Sequence, residues 1–213
     1  MNEKNTALRL VLVDPLAPLC AAWEKSFRDL PGVEIVNDYF ERVSEFDCMV
    51  SAANSFGHMS GGVDLAIVRF FGLDLMDRVQ ARILDEYLGE QPVGTAIIVE
   101  TGNAAHPFIA HTPTMRIPMV ITRTDNVYLA MWAMLLAVRA HNAQPRQSEP
   151  IRIIACPGLG TATGRVPPDE AARQMALAYR HFLNPPVRLD WKVASDRQDA
   201  VRWGGDPLPG YPL

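Results

Sequence analysis

The sequence predicts an α/β fold, with a mainly parallel or mixed sheet covered by helices on both faces. Three observations point to it. Short continuous apolar runs, as expected of strands buried on both faces, alternate with segments whose apolar residues recur every three or four positions. Glycine-containing loops follow two of the buried runs and lead into helical stretches. No internal repeat or low-complexity linker interrupts the alternation, and 213 residues at 48% apolar and 21% charged suit one α/β domain with a little added.

Taken in order, residues 8–13 are a buried strand. Leu19, Trp23, Phe27 and Leu30 then mark a helix, with Pro18 near its start and Gly32 past its end. Residues 33–37 and 47–51 are two further strands. From Asp74, the spacing of Leu75, Val79, Ile83 and Tyr87 predicts an amphipathic helix. Residues 95–99 and 108–111 are short strands, and a helix apolar nearly all round opens near Thr124 and Asp125, both good N-caps. Residues 151–155 form the next buried strand. Pro167, Pro168, Asp169 and Glu170 open a helix whose inner face carries Met175, Tyr179 and Phe182. Val187, Leu189, Trp191 and Val193 alternate with polar residues, the pattern of an edge strand, and the Gly/Pro-rich end after Ser195 reads as a loose tail. Residues 1–195 are thus expected to form one domain and residues 196–213 its tail.

A net charge of −4 leaves no basic excess to displace counterions, which argues against extended nucleic acid as a partner. The polar start lacks a long apolar h-region, and residues 127–138 are too short to span a bilayer, so a cytoplasmic protein without membrane contact is expected. Cys20, Cys48 and Cys156 form no CxxC and no zinc spacing, and all three sit in apolar company as core residues. No histidine pair has metal spacing. The chain has no GxxxxGK[ST], and Val13-Asp14-Pro15 stands where a dinucleotide-binding unit needs GxGxxG.

Ligands of open α/β sheets sit at the carboxyl ends of the strands, which directs attention to the loops there. In residues 51–67, SAANSFGHMSGGVDLAI, Gly61-Gly62 joins a buried strand to an apolar helix. Glycine lets backbone approach a ligand closely, and a helix N-terminus offers unpaired N–H groups to an anion. Asn54 and Asp64 flank the loop; the first can donate to a ribose hydroxyl, and the second can orient a hydroxyl or a water. In residues 156–170, CPGLGTATGRVPPDE, successive amides can form an anion-binding concavity.

Ser51-Ala52-Ala53-Asn54 followed by Gly61-Gly62-Val63-Asp64 resembles the macro domain signature, an Asn-Ala-Ala-Asn segment ahead of a Gly-Gly-Val-Asp segment. Asn37-Asp38-Tyr39 resembles the family's Gly-Asp-Ile element, residues 94–96 and His111 fall where the family has its middle strands, and residues 157–167 correspond to its second phosphate loop. The likeness covers about residues 33–183 and implies a three-layer α/β/α macro domain with a mixed central sheet, to which residues 8–30 would add an extra N-terminal β–α unit. It also implies a ligand, ADP-ribose or an ADP-ribosylated substrate, and no cofactor or metal. Asp38 would bond the adenine, with Tyr39 beside it. Gly61, Gly62 and Val63 would cradle the pyrophosphate from one side, and Gly158, Leu159, Gly160, Thr161 and Ala162 from the other, with Thr163 and Gly164 completing that loop. Asn54 and Asp64 would act at the distal ribose, next to Ala53 and Phe56.

Several positions depart from the family pattern. Ser51 replaces the first Asn of the signature, Met59-Ser60 replaces glycines of the hydrolytic members, and Ala162-Thr163-Gly164-Arg165 replaces a segment that often carries an aromatic residue. Three functions therefore stay open at the level of sequence. They are hydrolysis at the distal ribose (mono-ADP-ribosyl hydrolase or O-acyl-ADP-ribose deacylase), non-catalytic reading of ADP-ribose, and the same fold turned to another nucleotide or an RNA end.

Overall fold

A computed structural model describes residues 8–144 and 149–201. Its core is a six-stranded sheet of β1 (Arg9–Val13), β2 (Val33–Val36), β3 (Cys48–Asn54), β4 (Ile97–Glu100), β5 (Phe108–Met115) and β6 (Ile153–Cys156) in the order β2-β1-β6-β3-β5-β4. Every neighbouring pair is parallel except β4–β5, so the sheet is mixed, with its antiparallel strand at one edge. The N-terminal strand is not an appendage. β1 lies inside the sheet between β2 and β6, with Leu10 opposite both Val33 and Ile154.

Alternation along the strands sends side chains into two cores, one on each face. Leu10, Leu12, Cys48, Val50, Ala110 and Ile154 face α1 (Ala17–Ser26), α4 (Asn126–Asn142) and α5 (Pro168–Leu183). Met49, Ile97, Val99, Ile109 and Ala155 face α2 (Gly62–Phe71) and α3 (Asp74–Tyr87). All three cysteines are buried free thiols, and burial pushes the Cys48 and Cys156 thiols well up. No described helix is long and apolar enough to cross a membrane.

Local chemistry explains most boundaries. Pro18 starts α1, Gly72 at φ +115° ends α2, and Asp169 and Glu170 sit in the first turn of α5 with Arg180 and His181 in its last. At the start of α4 the expected Asp125 side-chain cap is absent; the Thr124 hydroxyl accepts from Asn126 N–H, and the buried Gln174 of α5 accepts the Tyr128 N–H at 3.0 Å.

Two strands run further than their sequence suggests. β3 continues past Ser51 to Asn54, and β5 continues past His111 through Thr112-Pro113-Thr114 to Met115. Pro113 is tolerated because the register shifts between Ala53 and Asn54, next to its own partner Ala53. The buried threonine hydroxyls donate to Ala130 O (3.0 Å) and Ala53 O (3.3 Å), which lets polar residues occupy a fully buried strand.

The expected edge strand at Val187–Val193 is instead the approach to a helix, α6 (Trp191–Val201). Asp190 Oδ1 accepts the Val193 N–H at 2.9 Å, and Lys192 pairs with Asp196 one turn on. Val187, Leu189 and Trp191 are exposed, so their alternation buries nothing. Residues 196–201 complete α6, docked by Arg173 Nη1 donating to Ala200 O at 2.7 Å; the rest of the expected tail lies outside the described residues.

Candidate functional site

A cleft of about 450 Å³ opens at the carboxyl ends of the parallel strands. Its floor and walls follow the strand order: Tyr39, Phe40 and Glu41 after β2, Val13, Asp14 and Pro15 at β1, Pro157 and Gly158 after β6, Ala52–Asn54 at the end of β3, and Thr114 and Met115 at the end of β5. The first turn of α2 closes one side and residues 160–164 the other. Among the residues expected from the sequence, Tyr39, Ala53, Asn54, Gly61, Gly62, Val63, Asp64, Gly158, Gly160, Thr161, Ala162, Thr163 and Gly164 all line this one cleft. Asp38, Phe56 and Leu159 do not; Leu159 is fully buried in the α4/α5 core.

Gly61, in an extended conformation, precedes α2, and no side chain caps the helix. Its first N–H groups therefore lack the partners that helix interiors have, and they carry the positive end of the helix dipole. Gly62 follows in the left-handed region at φ +57°, and a side-chain carbon added at Gly61 or Gly62 would meet nothing within 4 Å. Bare backbone thus faces open cleft.

Asp64, in the same helical turn, is 6% exposed and accepts a 2.7 Å hydrogen bond from the Ser51 hydroxyl. Burial pushes its carboxyl up to about 6, against the smaller opposing pull of the Ser51 hydrogen bond. Such a group is largely ionised at neutral pH yet more basic than an exposed carboxylate, as a general base should be.

Asn54 is 8% exposed and works within its own loop. Its Oδ1 accepts the amides of Phe56 (3.1 Å) and His58 (3.3 Å), while Nδ2 donates to His58 O at 2.8 Å. One Nδ2 hydrogen remains beyond that bond. The loop is also buttressed from β5. His111 is fully buried opposite Ser51, its Nδ1 lies 2.7 Å from Gln91 Oε1, and the Gln91 backbone N–H donates to Ser55 O. Gln91 Nε2 donates to the His111 carbonyl, so its Oε1 is the acceptor and the His111 proton sits on Nδ1. Burial lowers the His111 pKa to about 3, leaving a neutral ring with an unpartnered Nε2.

The second loop is fastened from within and without. Gly160 O accepts from Val166 N–H and Ala162 O from Arg165 N–H, and Gly164 O accepts from Ile121 N–H. Asp14 Oδ2 accepts the Gly158 N–H at 3.2 Å. Asp14 escaped the sequence reading because 144 residues separate it from Gly158; only the packing of β1 beside β6 brings them together. Asp38 meanwhile accepts the Tyr39 amide at 2.8 Å and pairs with Arg42, contacts that hold its carboxyl below the usual range, the amide most strongly.

The fold and this cleft define an α/β protein that presents helix-terminal and loop amides, beside a buried carboxyl, at the carboxyl edge of its sheet. The macro domain family matches residues 50–175, more than half of the chain, and the chain belongs to that family. It is 32% identical over 136 residues to an uncharacterized protein of Aquifex aeolicus, covering 64% of this chain and 74% of that one. It is 29% identical over 133 residues to an uncharacterized protein of Aeropyrum pernix, covering 62% of each. Among solved structures, an Oceanobacillus iheyensis macrodomain mutant with ADPR has a TM-score of 0.57 at 19% identity, covering 94% of this chain and 96% of that one. The macrodomain of Mycobacterium tuberculosis DarG has a TM-score of 0.55 at 18% identity, covering 68% and 86%. At these identities the structural likeness is one of fold.

Proposed function

We propose that the cleft binds ADP-ribose, or the ADP-ribosyl group of a modified acceptor, and that the chain hydrolyses an ester or glycosidic link at the distal ribose. The observation that carries this reading is the buried carboxyl of Asp64 in the first turn of α2, in the cleft wall beside the uncapped Gly61–Gly62 backbone. The pyrophosphate would lie between that helix end and residues 158–164, with the distal ribose toward Asn54 and Asp64. Membership of the family supports the ligand, and a fold relative holds ADPR.

In the proposed step, Asp64 orients a water and takes its proton as the water oxygen bonds to the carbon bearing the link. The bond from that carbon to its leaving group breaks, and the leaving group departs with the proton that Asp64 took, which returns the carboxylate. Ser51 holds Asp64 in place, and the remaining Nδ2 hydrogen of Asn54 would position the ribose. The engagement of Asn54 within its own loop favours a second reading, a non-catalytic reader of ADP-ribose.

Turnover of ADP-ribosylated protein and of O-acyl-ADP-ribose, measured beside calorimetric binding of ADP-ribose, separates the two. The hydrolase reading expects wild-type turnover and an Asp64→Ala variant that still binds but turns over about a hundredfold more slowly or less. Wild-type binding without turnover of either substrate selects the reader. Absence of wild-type binding ends both.

A further inference from the structure

The loop after β5 forms the mouth of the cleft beside Asn54. Met115 and Pro118 line the cleft, and Met115 stands opposite Asn54 across the β3–β5 pair. The loop is fixed from two sides. Ser55 N–H donates to the carbonyls of Met115 and Arg116, and Ile121 N–H donates to Gly164 O of the second loop at 2.9 Å. The Arg116 guanidinium donates to both carboxylate oxygens of Glu90, at 2.6 and 2.9 Å. Between these ties Ile117, Pro118, Met119 and Val120 are all exposed, Ile117 at 54%, Met119 at 48% and Val120 at 51%. Four consecutive exposed apolar residues at a cleft mouth mark an interaction surface, since an idle loop gains nothing from them. The second loop, to which the run is tied, brings the short side chains of Thr161, Ala162 and Thr163 to the cleft and leaves room beside it.

We infer that residues 117–120 determine what the distal ribose carries, and that they take an apolar acyl chain of medium length in preference to acetyl. The inference rests on the ADP-ribose reading above, with the pyrophosphate between α2 and the loop after β6 and the distal ribose by Asn54 and Asp64. In the strand order β6-β3-β5, the next structure beyond the ribose is the end of β5, so a group on that ribose meets Met115, Pro118 and the exposed run. Hydrogen bonding decides between an acyl chain and a polypeptide. A peptide laid here would bring N–H and C=O groups that need partners. Pro118 has no N–H, Met119 N–H is directed at Met115 Sδ at 3.5 Å, and Ile121 N–H is taken by Gly164 O. Arg116 is occupied by Glu90. An acyl chain asks for no such partner, and each methylene it withdraws from water favours binding.

The test is calorimetric affinity for ADP-ribose and for its acetyl and octanoyl analogues, with an amide link replacing the ester so that binding is read without turnover. Wild type is expected to hold the octanoyl analogue at least about tenfold more tightly than the acetyl one, a fraction of the transfer free energy of the added methylenes. A triple variant, Ile117→Ser, Met119→Ser and Val120→Ser, changes exposed positions only; it should bring that ratio close to unity while affinity for ADP-ribose stays within about twofold. Leu84→Ser, at an exposed position of α3 outside the cleft, should leave the ratio intact. A ratio that survives the triple variant, or that Leu84→Ser abolishes equally, overturns the inference. So does an ADP-ribosylated peptide whose affinity falls in the triple variant while the two analogues bind alike, which would assign the run to a protein acceptor. Equal wild-type affinity for the two analogues overturns it and leaves the ADP-ribose reading standing; wild type that binds neither analogue nor ADP-ribose overturns both.

Discussion

The two loops that enclose the cleft are both rich in glycine, and for opposite reasons. At Gly61 and Gly62 a side-chain carbon would meet only empty space. At Gly164 it would lie 2.4 Å from Gly160 O, and at Gly158 2.5 Å from Leu19 Cδ2 and 3.0 Å from Asp14 Oδ2. Gly61 and Gly62 keep backbone bare toward the cleft, whereas the glycines of the second loop let it fold against itself and against the β1–α1 unit. The same residue type thus marks an open cleft surface in one place and a packing constraint in the other. The buried Asp64 carboxyl belongs to the open cleft side, where it costs stability.

Alanine substitutions should separate the loops. Gly164→Ala forces a carbon against a backbone oxygen that cannot rotate away, and should destabilise by roughly 3 kcal/mol in denaturant unfolding. A loss under 1 kcal/mol would contradict the packing role. Asp64→Asn should act nearly as strongly in the other direction, but only at higher pH. Its folded pKa, about 6, lies above the ordinary carboxylate value of 3.8, so the folded state binds the extra proton between those values and loses stability as pH rises through about 6. The variant should match wild type near pH 4 and exceed it by on the order of 3 kcal/mol at pH 7. Parallel pH profiles for the two proteins would refute the burial argument.

Smaller effects are expected in the first loop. Gly62→Ala places a side chain at φ +57°, a strain of about 1 kcal/mol, with no clash. Its ADP-ribose affinity should fall about tenfold as a methyl group intrudes on the proposed amide–phosphate contact. Gly61 has an extended backbone at φ −153°, so Gly61→Ala should change stability by less than about 0.5 kcal/mol. A calorimetric scan showing Gly61→Ala as damaging to the fold as Gly164→Ala would dissolve the contrast.

Sequence alone made the glycine loops, the buried strands and most of the helices legible, because those signals are local. Apolar runs, Pro at helix starts and Gly at loop–helix junctions need no distant partner to be read. The Thr112-Pro113-Thr114 extension of β5 was hidden, since polar residues and proline belong in a buried strand only when a register shift and specific acceptors accommodate them. The alternation of Val187, Leu189 and Trp191 misled because periodicity reports a face only where a neighbour covers it, and there the Asp190 cap prevailed. In the site, Asp14 was hidden by its distance along the chain. The loop-bracing bonds of Asn54 were hidden because they depend on backbone directions that composition does not carry.

The position of β1 also bears on how the molecule assembles. β6, four residues long, is the strand through which the β2-β1 pair joins the β3-β5-β4 group. During synthesis, the N-terminal pair must wait for residues 153–156 before it can join the rest of the sheet. Closing a contact that spans 144 residues is slow relative to local pairing. The part of the cleft over β1 and β2, which depends on that junction, is therefore among the last parts of the protein to form.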